Sequence, residues 1–206
     1  MLAARRANAR MVVALPRLLC MPPAELGGRP RLLRIMSDRR FRAGEPFPSL
    51  SWPKVGGGTL SLAKDPGWRL LVVYRGKHCG LCREYLAELN GMLDDFRERA
   101  ISVAAVSADS RDKAEAEVRD GRLRFPIAYD LTTDDMHRLG LYVSPPQPGE
   151  TIRPFAEPAL FVVNPDGRTQ VIAVTNAPFS RPDLQTVLEG LRAAQDEHAP
   201  IHGTAA

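Results

Sequence analysis

The chain has 206 residues, 44% hydrophobic and 25% charged, which suits one α/β domain with a sizeable core. No apolar run approaches the ~20 residues that span a bilayer, so the sequence predicts no membrane segment. The net charge of +4 is carried by residues 1–36, where seven arginines face Glu25 alone for +6; residues 37–206 then hold −2, and no basic patch calls for a nucleic-acid partner.

Residues 1–36 are rich in Arg, Ala, Leu and Pro. A secretory signal needs an unbroken apolar stretch, and Met11–Leu15 is cut short by Pro16 and Arg17. Pro16, Pro22, Pro23 and Pro30 likewise interrupt the amphipathic helix of a transit peptide. The segment is read as a disordered basic extension, or as a start placed too far upstream, with Met36 as the alternative first residue. Residues 37–206 form the domain. Cys20 has no partner spacing and reads as an incidental thiol.

Within the domain, residues 44–62 read as short extended pieces around Gly56-Gly57-Gly58. Residues 69–75 form a continuous apolar strand, as expected inside a parallel sheet. Leu86, Leu89, Leu93 and Phe96 recur at helical steps and predict one helix over 82–99. Ile101–Val106 is the next buried strand. Ser110 or Asp109 caps a helix running to about Arg119. Phe125–Tyr129 is a short strand, and Thr132 or Thr133 caps a short helix closed by Gly140.

Residues 144–158 are proline-rich and read as an irregular loop. Ala159–Val163 and Gln170–Val174 flank a tight turn, Asn164-Pro165-Asp166-Gly167, and form a hairpin. Arg181-Pro182-Asp183 opens a last helix with Leu184, Val187, Leu188 and Leu191 on one face. Residues 196–206 are a tail. Alternating strands and helices predict an α/β domain with a mainly parallel sheet, helices on both faces and an antiparallel hairpin added late.

The chemistry centres on Cys79-Gly80-Leu81-Cys82, placed where an apolar strand meets an amphipathic helix. Helix-terminal amides stabilise a thiolate at the first position, so Cys79 is the candidate nucleophile. Lys77, His78 and Arg83 flank it as candidate sources of positive potential, and the His78 side chain either tunes the Cys79 pKa or points to solvent. Cys82, one turn on, is the candidate resolving thiol. Two blander readings compete: a pair of buried core cysteines, or a zinc site. Zinc needs about four ligands, and the chain has neither a second Cys-x-x-Cys nor a His pair at ligand spacing. Arg153 is either solvated or a guanidinium beside Cys79. Pro158 opens a buried strand, a common place for proline.

Tyr74-Arg75-Gly76-Lys77-His78-Cys79-Gly80-Leu81-Cys82, with Val103–Asp109 and Glu157–Gly167, resembles the thioredoxin-fold superfamily. Within it the chain is similar to the peroxiredoxin-like branch of the alkyl hydroperoxide reductase/thiol-specific antioxidant (redoxin) family, over Gly44 to Thr204. Ala177–Pro182 and His202-Gly203-Thr204 resemble segments of the same branch. The resemblance implies a thioredoxin-like fold with a central mixed sheet and helices on both faces. It makes Cys79 the reactive cysteine and Pro158 a cis-proline packed against the disulfide. True peroxiredoxins carry Pro and Thr or Ser seven and three residues before the reactive cysteine; Val72 and Gly76 stand there in this chain.

These observations predict a thiol-disulfide oxidoreductase that also reduces hydroperoxides, with a dedicated thiol peroxidase and a non-catalytic redox sensor as alternatives. The expected partners are a disulfide or hydroperoxide substrate and an external thiol reductant of thioredoxin or glutathione type. No cofactor or metal beyond the chain's own thiols is expected. The expected location is the cytoplasm, whose reducing poise keeps such a pair as a dithiol.

Overall fold

The computed structural model describes residues 41–63 and 66–205. The expectations for residues 1–36, with Cys20 and the alternative start at Met36, lie outside the described residues. Trp52–Pro53 (β1) and Thr59–Leu60 (β2) pair antiparallel around the glycine turn. β3 (Trp68–Val73) follows, and its Leu70, Leu71, Val72 and Val73 are all buried. This is the pattern of a strand covered on both faces.

The helix expected over 82–99 is two helices, α1 (Gly80–Gly91) and α2 (Leu93–Glu98). The break falls at Asn90-Gly91-Met92, and the cause is tertiary. The Asn90 side chain accepts from Arg124 N at 2.8 Å, and its main-chain carbonyl accepts from Arg124 Nη2 at 3.0 Å. A carbonyl turned out to a distant guanidinium is diverted from the helical ladder, and glycine after it costs the helix about 1 kcal/mol.

β4 (Ile101–Val106) leads into α3 (Arg111–Gly121), then β5 (Ile127–Ala128) and α4 (Thr133–Arg138). Ser110 is the N-cap residue of α3, leaving the Asp109 carboxylate available elsewhere. The stretch expected to be an irregular loop contains a further antiparallel pair, β6 (Val143–Ser144) and β7 (Phe155–Ala156). Phe155 and Ala156 are buried; their apolar signal was too short to stand out among the prolines. β8 (Ala159–Val163) and β9 (Thr169–Val174) form the predicted hairpin. α5 (Leu184–Asp196) closes the fold, its N-terminus capped by Asp183, which accepts from Thr186 N at 2.7 Å.

The central sheet has five strands in the order β5-β4-β3-β8-β9. β3, β4 and β5 run parallel, while β8 is antiparallel to both of its neighbours, β3 and β9. It is therefore a mixed sheet with helices on both faces, as expected. Alternate residues of β3 divide the core. Leu70, Val72 and Tyr74 pack with α1, α2, α3 and α5 through Leu86, Leu89, Phe96, Ala114, Leu184 and Leu188. Leu71 and Val73 pack on the other face with Trp52, Met136, Leu139 and Phe155 from the first hairpin, α4 and β7. β3 lies at the centre of this sheet, so its C-terminal end opens between β4 and β8, where parallel sheets present their sites.

Candidate active site

The chain leaves β3 at Val73 and reaches Cys79, the N-cap of α1, through a tight loop. Cys79 N donates to Gly76 O at 3.1 Å, and Lys77 N donates to Asp109 Oδ2 at 2.7 Å. Gly76 has φ +133°, and a Cβ there would sit 2.8 Å from Asp109 Oδ1. Only glycine fits this loop. The carboxylate of Asp109, from the segment between β4 and α3, fills the space in which a Thr or Ser side chain would stand.

Both cysteines are free thiols; Cys79 is 5% exposed and Cys82 is fully buried. Cys82 N donates to Cys79 Sγ at 3.3 Å, so sulfur takes the capping role that oxygen usually fills. The Cys82 thiol hydrogen bond lowers the Cys79 pKa most. With the Cys82 amide, Arg181 and Arg75 helping and burial opposing, it falls to about 5. The same bond, then burial, pushes the Cys82 thiol far upward, against the pull of Arg181. At neutral pH the pair is a thiolate at Cys79 hydrogen-bonded by a thiol at Cys82. A thiolate beside a thiol one helical turn away can attack an electrophilic oxygen or sulfur and then be closed into a disulfide.

Two guanidinium groups frame the pair, and neither was singled out from the sequence. Arg181, just ahead of α5, donates to Cys82 Sγ at 2.9 Å and to Leu81 O at 2.8 Å. It also lies 5.2 Å from the Tyr85 ring centroid. Arg75, in the loop itself, stacks 4.9 Å from the Phe155 ring centroid and pairs with Glu157 at 3.5 Å. Glu157 in turn accepts from Ser144 Oγ at 2.6 Å, which ties the β6–β7 pair to the loop. The local signals were an arginine two positions after β3 and an Arg-Pro-Asp helix start, and both are commonplace.

His78 stands against Phe155, edge to face, with ring centroids 4.9 Å apart and neither ring nitrogen hydrogen-bonded. Burial lowers its pKa, with Arg75 adding to the effect, so the ring is neutral at physiological pH and adds no full positive charge. Lys77 is engaged with Asp120 of α3, and Arg83 is exposed. Arg153 does not join the dithiol cluster: it is exposed and pairs with Asp130 at 2.8 Å. Its place near the thiolate is taken by Arg75 and Arg181.

Pro158 is buried and lines a small cleft with Val73, Tyr85, Thr175 and Arg181. The cis bond expected there is absent: the Glu157–Pro158 peptide is trans. The chain is held extended on both sides of it, with Glu157 N donating to Tyr142 O at 2.8 Å and Pro158 O accepting from Thr175 N at 3.0 Å. Such pairing suits the default trans bond. Among the described residues, no three His, Cys, Asp or Glu side chains converge as a metal site requires.

A reactive dithiol at the start of the helix that follows the central strand of a mixed sheet defines a thiol-redox protein of the thioredoxin fold. The chain belongs to the AhpC/TSA family, whose model matches residues 43–172. A Mycobacterium tuberculosis protein whose name places it among the peroxiredoxins is 28% identical over 134 residues, covering 64% of this chain and 84% of the relative. Solved structures share the fold. The Peroxiredoxin 6 of Arenicola marina has a TM-score of 0.67 at 19% identity, over 75% of this chain and 74% of that one. The reduced 2-Cys peroxiredoxin of Plasmodium vivax has a TM-score of 0.65 at 18% identity, over 77% and 99%. Membership of this family makes the chain a thiol-dependent antioxidant oxidoreductase.

Proposed function

We propose that the protein reduces hydroperoxides with Cys79 and closes an internal disulfide with Cys82. The Cys79 thiolate attacks the terminal peroxide oxygen; the O–O bond breaks, the alcohol or water leaves with a proton, and Cys79 becomes a sulfenic acid. Cys82 attacks that sulfur, water leaves, and the Cys79–Cys82 disulfide forms. An external dithiol of thioredoxin type then exchanges with the disulfide and restores both thiols. The observation that carries this reading is the donation from Cys82 N to Cys79 Sγ at 3.3 Å at the start of α1, with the Cys79 pKa drawn down chiefly by the Cys82 thiol. The relative's name and the family model support peroxide as the oxidant.

A second reading, reduction of protein disulfides through the same two cysteines, is favoured by Gly76. The space of a peroxide-orienting hydroxyl is occupied there by the Asp109 carboxylate. Stopped-flow oxidation of the reduced protein by hydrogen peroxide and by an organic hydroperoxide, beside insulin-disulfide reduction, separates the two. Rapid peroxide consumption lost in Cys79→Ser is expected. Insulin reduction without rapid peroxide consumption transfers the role to disulfide exchange. Peroxide oxidation no faster than that of a free thiol, with no insulin reduction, refutes both and leaves a redox sensor.

A further inference from the structure

Cys82 is poorly placed to become a nucleophile. It is fully buried, and in the reduced protein its thiol donates to Cys79. It must nevertheless give up its proton once Cys79 has been oxidised or capped. At that point the Cys79 thiolate has gone, and the like charge that suppressed Cys82 ionisation has gone with it. The cation left in contact is Arg181, whose Nη2 lies 2.9 Å from Cys82 Sγ.

We propose that Arg181 is the catalytic group of the resolving step: its guanidinium holds Cys82 as a thiolate after Cys79 has reacted. The proposal rests on the order of cysteines given above. In the step, Cys82 loses its proton and its sulfur attacks the Cys79 sulfur. The S–O bond of a sulfenic acid breaks and hydroxide leaves, taking up that proton as water. With a mixed disulfide, the S–S bond to the substrate breaks instead and the substrate thiolate leaves.

The guanidinium is aimed rather than loosely nearby. Its Nη1 is tied to Leu81 O at 2.8 Å, its face lies on Tyr85, and Tyr85 Oη donates to Pro182 O at 2.8 Å. Asp183, the acid nearest along the chain, is committed to capping α5. One planar fork therefore reaches both a carbonyl and a sulfur, an arrangement that a lysine cannot reproduce. The titratable and charged groups acting on Cys82 come from three directions. Cys79 and Arg181 act directly. The Arg75 amide also favours a Cys82 thiolate, as a backbone donor without a full charge. Tyr74, at the end of β3, feels Cys82 together with Asp109 and Glu117.

The first test removes the other thiols. In the full chain carrying Cys20→Ser and Cys79→Ser, Cys82 is the sole cysteine, and its thiolate is titrated by ultraviolet absorbance. Adding Arg181→Met is expected to move the midpoint up by a unit or more, about a tenfold loss of thiolate at a given pH. Arg181→Lys is expected to restore part of it, which separates lost charge from a folding defect. An unmoved midpoint overturns the proposal.

The second test keeps Cys79 and uses 2,2′-dithiodipyridine. The first thiopyridone released reports Cys79, the second reports closure by Cys82. At pH 7.5 Arg181→Met is expected to slow the second release about tenfold and shift its pH profile upward. The first release holds within about threefold, because a thiol titrating near 5 stays ionised. Equal slowing of both releases with unmoved pH profiles assigns Arg181 a structural role and refutes the proposal. A parent protein releasing no first equivalent refutes the role of Cys79 instead, and the thiolate titration still decides Arg181.

Discussion

Replacing Cys82 with Ala, in a Cys20→Ser background, removes the largest support of the Cys79 thiolate while leaving the amide of residue 82 in place. A hydrogen bond to a charged acceptor contributes about 1.5–3 kcal/mol, and one pKa unit corresponds to about 1.36 kcal/mol. The Cys79 midpoint, about 5 in the native protein, is therefore expected at about 6–7 in the variant. At pH 5.5 the ionised fraction falls from roughly three quarters to a quarter or less, while at pH 8 it stays above roughly nine tenths. The assay is the rate of iodoacetamide modification at Cys79 against pH, followed by mass spectrometry. The signature is a loss of rate confined to acid pH. Cys82→Ser keeps a hydroxyl donor and is expected to stay closer to the parent. A variant profile that overlays the parent, or a parent midpoint near the ordinary ~8.5 of a free thiol, would refute the account of how Cys79 is activated.

Gly76→Thr, which places a hydroxyl at the peroxiredoxin position, should lower stability by about 2–4 kcal/mol through backbone strain and displacement of Asp109. Chemical denaturation measures this, and the hydroperoxide rate should fall rather than rise. Glu117, buried with one carboxylate oxygen unpartnered, has its pKa raised chiefly by burial. A raised folded-state pKa favours the fold below the ordinary carboxyl range, and that benefit is lost as pH rises through the folded-state value. Glu117→Gln should therefore raise the melting temperature at pH 7.5 by about 2–4 °C for ~1 kcal/mol, and the gain should vanish near pH 4; an equal gain at both pH values would contradict the argument. Arg75→Met should move the Cys79 alkylation midpoint upward, whereas Arg153→Ala should leave it in place and change stability by less than about 1 kcal/mol, as exposed ion pairs do. A larger shift from Arg153→Ala than from Arg75→Met would reverse that assignment.

What could be read along the chain was local. The apolar run of β3 and the leucine spacing of α1 are properties of neighbours in sequence, and they sufficed to put Cys79 at a strand–helix junction. The hairpin of β8 and β9 followed from the Asn164–Gly167 turn in the same way. The break after Asn90 did not, because it depends on Arg124, which is 34 residues away. The β6–β7 pair joins two-residue strands too short to show a period.

The sequence by itself determined that two thiols stand one helical turn apart at the start of a helix, since that needs only spacing and capping. The tertiary structure decided how they are tuned. Arg181 reaches Cys82 from 99 residues away, and Asp109 reaches Lys77 from 32. Arg153, close to β7 in the chain, turns instead to Asp130, and Pro158 keeps a trans bond because paired backbone holds the chain extended on either side. Electrostatic fields act through space, so the group nearest a thiolate is chosen by the packing of distant elements and not by the order of residues.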